Sequence, residues 1–439
     1  MPFNHSIPFL PHKSLGIRQP ICKALENKFH IRKPTECQIS LIPTILQGKD
    51  VLIRDVTGSG KTFGMALALL NKTRNQQAYG RNQNRMGRPC ITSLLVVPSR
   101  ELAYQIENWM RVLLSDTGLP LKSIIQVVAR TDPMDESRQL DDLESVPPHI
   151  LVGTATRLHD LANAGHLSFG RLKTLVLDEA DHLLRLPSKH ATLKKLQNRQ
   201  IHPKPAELLT QHVFDQAKPQ IVVSSATLNR ALRYYFKDNR YCEDPVFIDI
   251  SEGTLSPPTI EHHCLLISTK EIKNITSTEF SWYNPFTDNH SSEVKEDIKD
   301  DDDLMLDSLI GALEFENVTC GIIFVNNQIK LPSLIKRLLK YGVEAKELEG
   351  SYMNQGEIKR KLFVAHEFTA RGIDIPLVSH VFILGMPSSS IEYLHMSGRT
   401  GRMGRGGKVI TFISEGRKRL IKTLFTLLKL NPSPYPHVQ

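Results

Sequence analysis

Residues 51–70, VLIRDVTGSGKTFGMALALL, run apolar, then glycine-rich, then apolar again. The flanks read as a strand (DVLIR) and a helix (FGMALALL), so the glycine loop sits where a strand hands over to a helix N-terminus. In that setting Gly58 and Gly60 let backbone N–H groups turn inward around phosphate oxygens, and Thr57 and Ser59 complete the loop. Lys61 supplies positive charge for β- and γ-phosphates, the Thr62 hydroxyl can ligate Mg²⁺, and the helix adds its dipole. A glycine turn that merely precedes a lysine would lack this context; the loop reads as a phosphate cradle. One position is unusual. Asp55 opens the loop where a small residue is usual, and its carboxylate either opposes phosphate or points away.

A second acidic element follows in TLVLDEADHLL. Asp178 and Glu179 end an apolar run, so Asp178 can hold Mg²⁺ through water and Glu179 can orient and deprotonate an attacking water. An acidic pair after a strand is by itself often only a helix N-terminus. Downstream of a phosphate loop in the same sheet, it reads as the hydrolytic half of a nucleotide hydrolase.

The elements that must position these residues are short and regular. DVLIRDV, SLLVVPS, SIIQVVA, HILVGTA, TLVLDEA and QIVVSSA are apolar without alternation, as strands buried on both faces should be. They alternate with helical patterns, which signals βαβ units and a parallel sheet. Chemistry-bearing letters cluster just after each run, at the carboxyl ends where open α/β sheets bind ligands. From 246 to 303 the pattern decays into a polar stretch read as a linker or insert. Order returns with CGIIFVNN, HVFILGM and GKVITFI, giving a first domain over 1–245 and a second over 304–439.

The formal charge is +9, but EVKEDIKDDDD at 293–303 carries −5 and leaves +14 on the remaining chain. A basic body suits a polyanion such as nucleic acid, and equally suits a merely soluble basic protein. The six cysteines are scattered without a C-x-x-C pair, which argues against a zinc site or disulfide framework and suggests a reducing compartment. No run of about 18 apolar residues is present, so no membrane-spanning helix is expected.

With DEAD at 178–181, TGSGKT upstream and Ser225-Ala226-Thr227 downstream, the chain resembles the DEAD-box ATP-dependent RNA helicases over nearly its whole length outside the linker. The resemblance implies an α/β chain of two RecA-like parallel-sheet P-loop domains joined by an acidic linker, ATP with Mg²⁺ as cofactor, and RNA as partner. It implies that Gln38 in KPTECQ reads the adenine edge, with His12 standing where an aromatic usually stacks on the base. PSREL (with Pro98 and Arg100) resembles the family's PTREL, and TATR (Thr154, Arg157) stands where TPGR is usual. Those residues, with Arg371, are implied to contact the RNA backbone rather than its sequence. The family's paired glycines are replaced by Ala129-Arg130.

In the second half, YLHMSGRTGRMGRGG places Arg399 and Arg402 three apart, a spacing that suits two guanidiniums stabilising a transferring phosphoryl group as arginine fingers. A basic RNA-binding loop is the plainer reading of the same letters. Asp181, Ser225, Thr227, Asp374 and His395 are implied to couple the nucleotide to RNA. Met396 occupies a position usually held by arginine, and His366-Glu367 one usually held by Thr-Asp. About a dozen residues, three helical turns, are missing between the motif around Gln355 and the next strand.

The leading expectation is an RNA-dependent ATPase that opens or remodels RNA, as a monomer, with ribosomal precursor particles among its expected partners. An ATP-dependent RNA clamp with feeble hydrolysis and a DNA helicase stand as alternatives. The first 25 residues hold no acid and include Lys13, Arg18 and Lys23, a weak lean toward mitochondria that leaves nuclear, nucleolar and cytoplasmic placements open.

Overall fold

The six apolar runs of the first half become six parallel strands, and a seventh joins them. They are β1 (Val51–Arg54), β2 (Ser93–Val97), β3 (Ile125–Val128), β4 (Ile150–Thr154), β5 (Thr174–Leu177), β6 (Gln220–Ser225) and β7 (Val246–Asp249), in spatial order β3-β4-β2-β5-β6-β1-β7. Alternate residues face opposite cores: Val51 and Ile53 pack into one apolar cluster and Leu52 into the other. Burial on both faces explains why these strands lack polar alternation. The order β5-β6-β1 brings three strand ends side by side, and the residues that follow them in the chain meet there. The computed structural model describes residues 12–56, 58–73, 90–187, 192–228, 230–250, 255–276, 303–348, 361–367, 377–402 and 405–438.

The chain passes from one compact unit to a second between Ile250 and Ser251. The second unit has its own seven-stranded sheet: β8 (Ile260–Ile267), β9 (Ile272–Asn274), β10 (Cys320–Val325), β11 (Lys346–Glu347), β12 (Lys361–His366), β13 (His380–Leu384) and β14 (Gly407–Ser414), ordered β11-β12-β10-β13-β14-β8-β9. All neighbours run parallel except β8 and β9, which form an antiparallel hairpin at one edge. Two apolar clusters again cover the two faces, with Ile322 and Phe324 in one and Ile323 and Val325 in the other.

The linker expected over 246–303 is corrected at its start. Residues 246–249 are β7 of the first sheet, and residues 260–267 form β8, which pairs with β14 along its full length. Their signals were weak for physical reasons. β7 is an edge strand with alternating exposure, and β8 interrupts its apolar run with Glu261, His262 and His263. The acidic tract lies outside the described residues except for Asp303, which opens the helix Asp303–Phe315. All six cysteines are unbridged, and no described helix is long and apolar enough to cross a membrane.

Candidate active site

The glycine loop between β1 and the helix Lys61–Asn71 is built on two left-handed glycines, Gly58 at φ +82° and Gly60 at φ +90°. Side chains rarely tolerate that conformation. A methyl group on Gly60 would also fall 2.7 Å from Gln38 Nε2. Gln38 braces the loop from the helix Glu36–Leu46: its Nε2 donates to the Gly60 carbonyl at 3.3 Å, and its Oε1 accepts from Thr35 N at 3.1 Å. Thr35 Oγ1 in turn accepts from Gln38 N, closing a capping box that fixes this side chain at 4% exposure. Lys61 Nζ donates to the Asp55 carbonyl at 2.9 Å, and Asp55 is itself buried. Thr57 lies outside the described residues. His12 is buried at 4% exposure in the turn His12–Leu15, so it presents no open ring face for a base.

Two strands away, Asp178 follows β5. Thr62 Oγ1 donates to Asp178 Oδ2 at 2.6 Å, Glu179 N donates to Oδ1 at 3.1 Å, and the Ser224 hydroxyl donates to the same oxygen. Asp178 is 1% exposed, and burial, with the Glu179 carboxylate beside it, pushes its carboxyl above the usual range. Three protein donors orient the group, and a cation next to it would restore its charge. A hydroxyl and a carboxylate in contact are the hard oxygen donors Mg²⁺ takes, so this chain's residues fit that ion. Glu179 itself sits at φ 50°, ψ 51°, ahead of the helix Ala180–Leu184. That conformation costs a non-glycine residue roughly 1 kcal/mol or more, and such outliers concentrate at functional sites.

The end of β6 closes the group. Thr227 Oγ1 donates to Asp181 Oδ2 at 2.9 Å, while Ser225 Oγ accepts from Thr227 N at 3.1 Å and Leu228 N at 2.9 Å. Asp181, 6% exposed, therefore ties the turn after β5 to the turn after β6. Side-chain bonds pair Gln38 and Lys61 with the loop, Thr62 and Ser224 with Asp178, and Asp181 with Thr227, all at the carboxyl ends of neighbouring strands. Glu179 is adjacent in the chain. Ser224 was not anticipated, although it is the first serine of SSAT.

In the second unit Arg399 and Arg402 follow the helix Ser390–Ser397. Each is bound to a carbonyl four residues back: Arg399 Nε donates to His395 O and Arg402 Nε to Gly398 O, both at 3.0 Å. Between them Gly401 has φ +67°, and a Cβ there would meet Ile260 Cγ1 at 2.3 Å. That turn admits only glycine. Arg399 is 7% and His395 2% exposed. Arg371 and Asp374 lie outside the described residues.

Comparison with known proteins decides what this arrangement belongs to. A DEAD/DEAH box helicase family model matches residues 35–234, and a helicase conserved C-terminal domain model matches residues 304–404. The DEAD-box ATP-dependent RNA helicase CshB of Listeria monocytogenes is 27% identical over 405 residues, spanning 90% of this chain and 77% of CshB. The chain belongs to the DEAD-box helicase family. Its fold matches S. cerevisiae Dbp5 bound to RNA and ADP BeF3 with TM-score 0.69 at 20% identity, over 97% of this chain and 95% of that one. It also matches Mss116p bound to ssRNA and AMP-PNP with TM-score 0.72 at 20% identity, over 99% and 81%.

Placed in this DEAD-box helicase, the residues implied to touch RNA are unequally ready. Pro98 follows β2, and Arg100 starts the helix Arg100–Leu114 with an exposed side chain beside Glu101. Thr154 ends β4, and its hydroxyl makes no capping bond to the next helix. Arg157 is only 11% exposed, with Nη1 on Glu136 Oε2 at 2.9 Å and Nη2 donating to the Glu136 carbonyl. Glu136 carries no motif signal; only folding of the helix Pro133–Ser145 brings it there. Arg130, at the glycine-pair position, is exposed and bridged to Asp160.

Two departures from the family pattern have structural explanations. Met396 is 1% exposed inside the second unit's core, so its side chain is packing material. Glu367, 6% exposed, accepts from Ser388 N through both carboxylate oxygens at 3.2 and 3.3 Å, and His366 Nε2 bonds the Ile329 carbonyl at 2.8 Å. In this helicase Glu367 braces the loop after β13 and His366 the loop after β10. Gln355 and the shortened segment around it lie outside the described residues.

Proposed function

We propose that this chain is an ATP-dependent RNA helicase that holds single-stranded RNA by its backbone and opens short duplex or ribonucleoprotein stretches, with hydrolysis resetting it. The observation that carries the reading is the set of bonded groups at the ends of β1, β5 and β6. Thr62 bonds Asp178, Glu179 follows in a strained backbone, and Asp181 bonds Thr227.

In this account Lys61 leaves the Asp55 carbonyl for phosphate oxygens, and Gln38 keeps the loop in shape while selecting adenine. Thr62 and Asp178 would hold Mg²⁺, which when bound neutralises charge on the phosphate oxygens. Glu179 orients the attacking water and takes its proton. Arg399 and Arg402 stabilise charge on the transferring phosphoryl group. Pro98, Arg100, Thr154, Arg157 and Arg371 take sugar and phosphate, so binding carries little base information. Asp181, Ser225, Thr227, Asp374 and His395 transmit occupancy of one ligand to the other.

Steady-state ATP turnover by the full chain tests this, with and without single-stranded RNA and with DNA of the same sequence. RNA should raise turnover by at least about tenfold, within the usual span of coupling between sites, and DNA should not. Equal turnover in all three conditions would overturn the reading.

The proposal extends to place. The acid-free start favours mitochondria, and ribosomal precursors suit a chain of this charge. Leu15, Ile17, Ile21 and Leu25 are buried in the first core, so import would have to leave this segment uncleaved. Imaging of a tagged full-length chain against a mitochondrial marker, with RNA crosslinking in cells, decides both.

A further inference from the structure

The helix Arg230–Asp238 follows SAT and packs by Leu232 and Phe236, which are 2% and 0% exposed. Its opposite stripe holds Arg230, Arg233, Tyr234 and Lys237, spaced i, i+3, i+4 and i+7, so all four share one solvent-facing side. The Arg230 guanidinium lies 5.3 Å from the centre of the Tyr234 ring and donates to its hydroxyl at 3.2 Å. Arg233 lies 5.1 Å over the ring of Phe247, which comes from the neighbouring edge strand β7. Both rings are open to solvent, Tyr234 at 46% and Phe247 at 43%. On the same face of β7, Asp249 is neutralised by Arg54, and Asp238 is the one acid in the helix.

A solvated helix face would be satisfied by lysine and glutamate. Two exposed rings under guanidiniums, on a stripe of three cations, are instead what a nucleic-acid strand needs: flat platforms for bases and donors for phosphates. The patch is far from Pro98, Arg100, Thr154 and Arg157, the first-unit residues proposed above to contact RNA. Those follow β2 and β4, whereas the patch rests on β7, at the other edge of the same sheet.

We propose that Arg230, Arg233, Tyr234, Lys237 and Phe247 form a second binding surface for single-stranded RNA, which engages a part of the strand beyond that held at the β2 and β4 ends. The two arginines, each now shared with a ring, take phosphates while bases stack on Tyr234 and Phe247. The inference rests on the reading of this chain as an RNA helicase. It predicts that a long single strand binds more tightly than a short one that fills the main groove alone.

The test measures equilibrium binding of the full chain to both strands by anisotropy across a salt series. The parent is compared with Tyr234→Ala/Phe247→Ala and with Arg230→Gln/Arg233→Gln, all checked for unchanged melting. Each double variant should lose about tenfold in affinity for the long strand and keep parental affinity for the short one, with unchanged turnover on the short strand. The arginine variant should also lower the salt slope on the long strand by roughly 0.7 per guanidinium removed. Parental affinity of both variants for the long strand overturns the proposal, as does equal weakening on both strands, or loss of a protein partner with RNA binding intact. If the parent binds neither strand, the helicase reading itself fails, a distinct result.

Discussion

The two sheets carry their chemistry in opposite ways. In the first, the proposed catalytic and coupling groups bind one another: Thr62 to Asp178, Ser224 to Asp178, Thr227 to Asp181. In the second, the two arginines each donate from Nε to a backbone carbonyl four residues back in their own turn. The difference teaches where preorganisation resides. Carboxylates and hydroxyls are oriented before any ligand arrives because strands β5, β6 and β1 are neighbours. The guanidiniums are anchored at Nε to carbonyls of a turn that only Gly401 permits. Arginine suits that role, since its fork stays charged and planar wherever it is held.

The largest effect that would sharpen this contrast is loss of one of these guanidiniums. Arg399→Lys and Arg402→Lys should each cut RNA-stimulated turnover roughly 10³-fold, since lysine supplies charge without the fork. Full turnover with either lysine would reduce the arginines to a generic basic loop. Next comes the preset side. Glu179→Gln should lower turnover by roughly 10²-fold or more with ATP affinity preserved, the range expected for a lost general base. Unchanged single-turnover kinetics would break the assignment.

A smaller effect concerns Met396. Replacing it with the arginine usual in the family should not restore anything. Met396→Arg places a charge in a closed core and should cost about 3 kcal/mol of stability, read as a lower denaturant midpoint. A variant as stable as the parent and faster in turnover would show that the site wants that arginine back. Smallest is Thr227→Val, which removes one bond to Asp181 without changing shape much. It should lower RNA stimulation about tenfold while the RNA-free KM for ATP stays put, the size of one buried hydrogen bond to a charged group. A matching loss without RNA would move Thr227 from coupling to folding.

What could be read beforehand follows the same division. Residues that act from strand ends are legible because the strand, the turn and the functional letter are contiguous, as in TGSGKT, DEAD and SAT. Even the capping box was written in TECQ, a threonine with glutamine three residues on. What could not be read depends on non-local packing. Nothing near Arg157 names Glu136 as its partner, and nothing in LHMSG says that Met396 points into a core. Strands β7 and β8 escaped for a related reason: a half-exposed edge and a strand carrying two histidines do not look buried in sequence. His262 is held by Ser256 and Tyr393, and burial pushes its pKa down to about 4, so it packs as a neutral residue.

Reciprocal binding tests the central claim most directly. In the Glu179→Gln chain, affinity for single-stranded RNA is measured with and without ATP and Mg²⁺, and affinity for ATP with and without RNA. A coupled machine must tighten both by one common factor, here expected at about tenfold or more. If each ligand binds with the same affinity whether or not the other is present, the nucleotide site does not drive the grip on RNA, and the account is wrong.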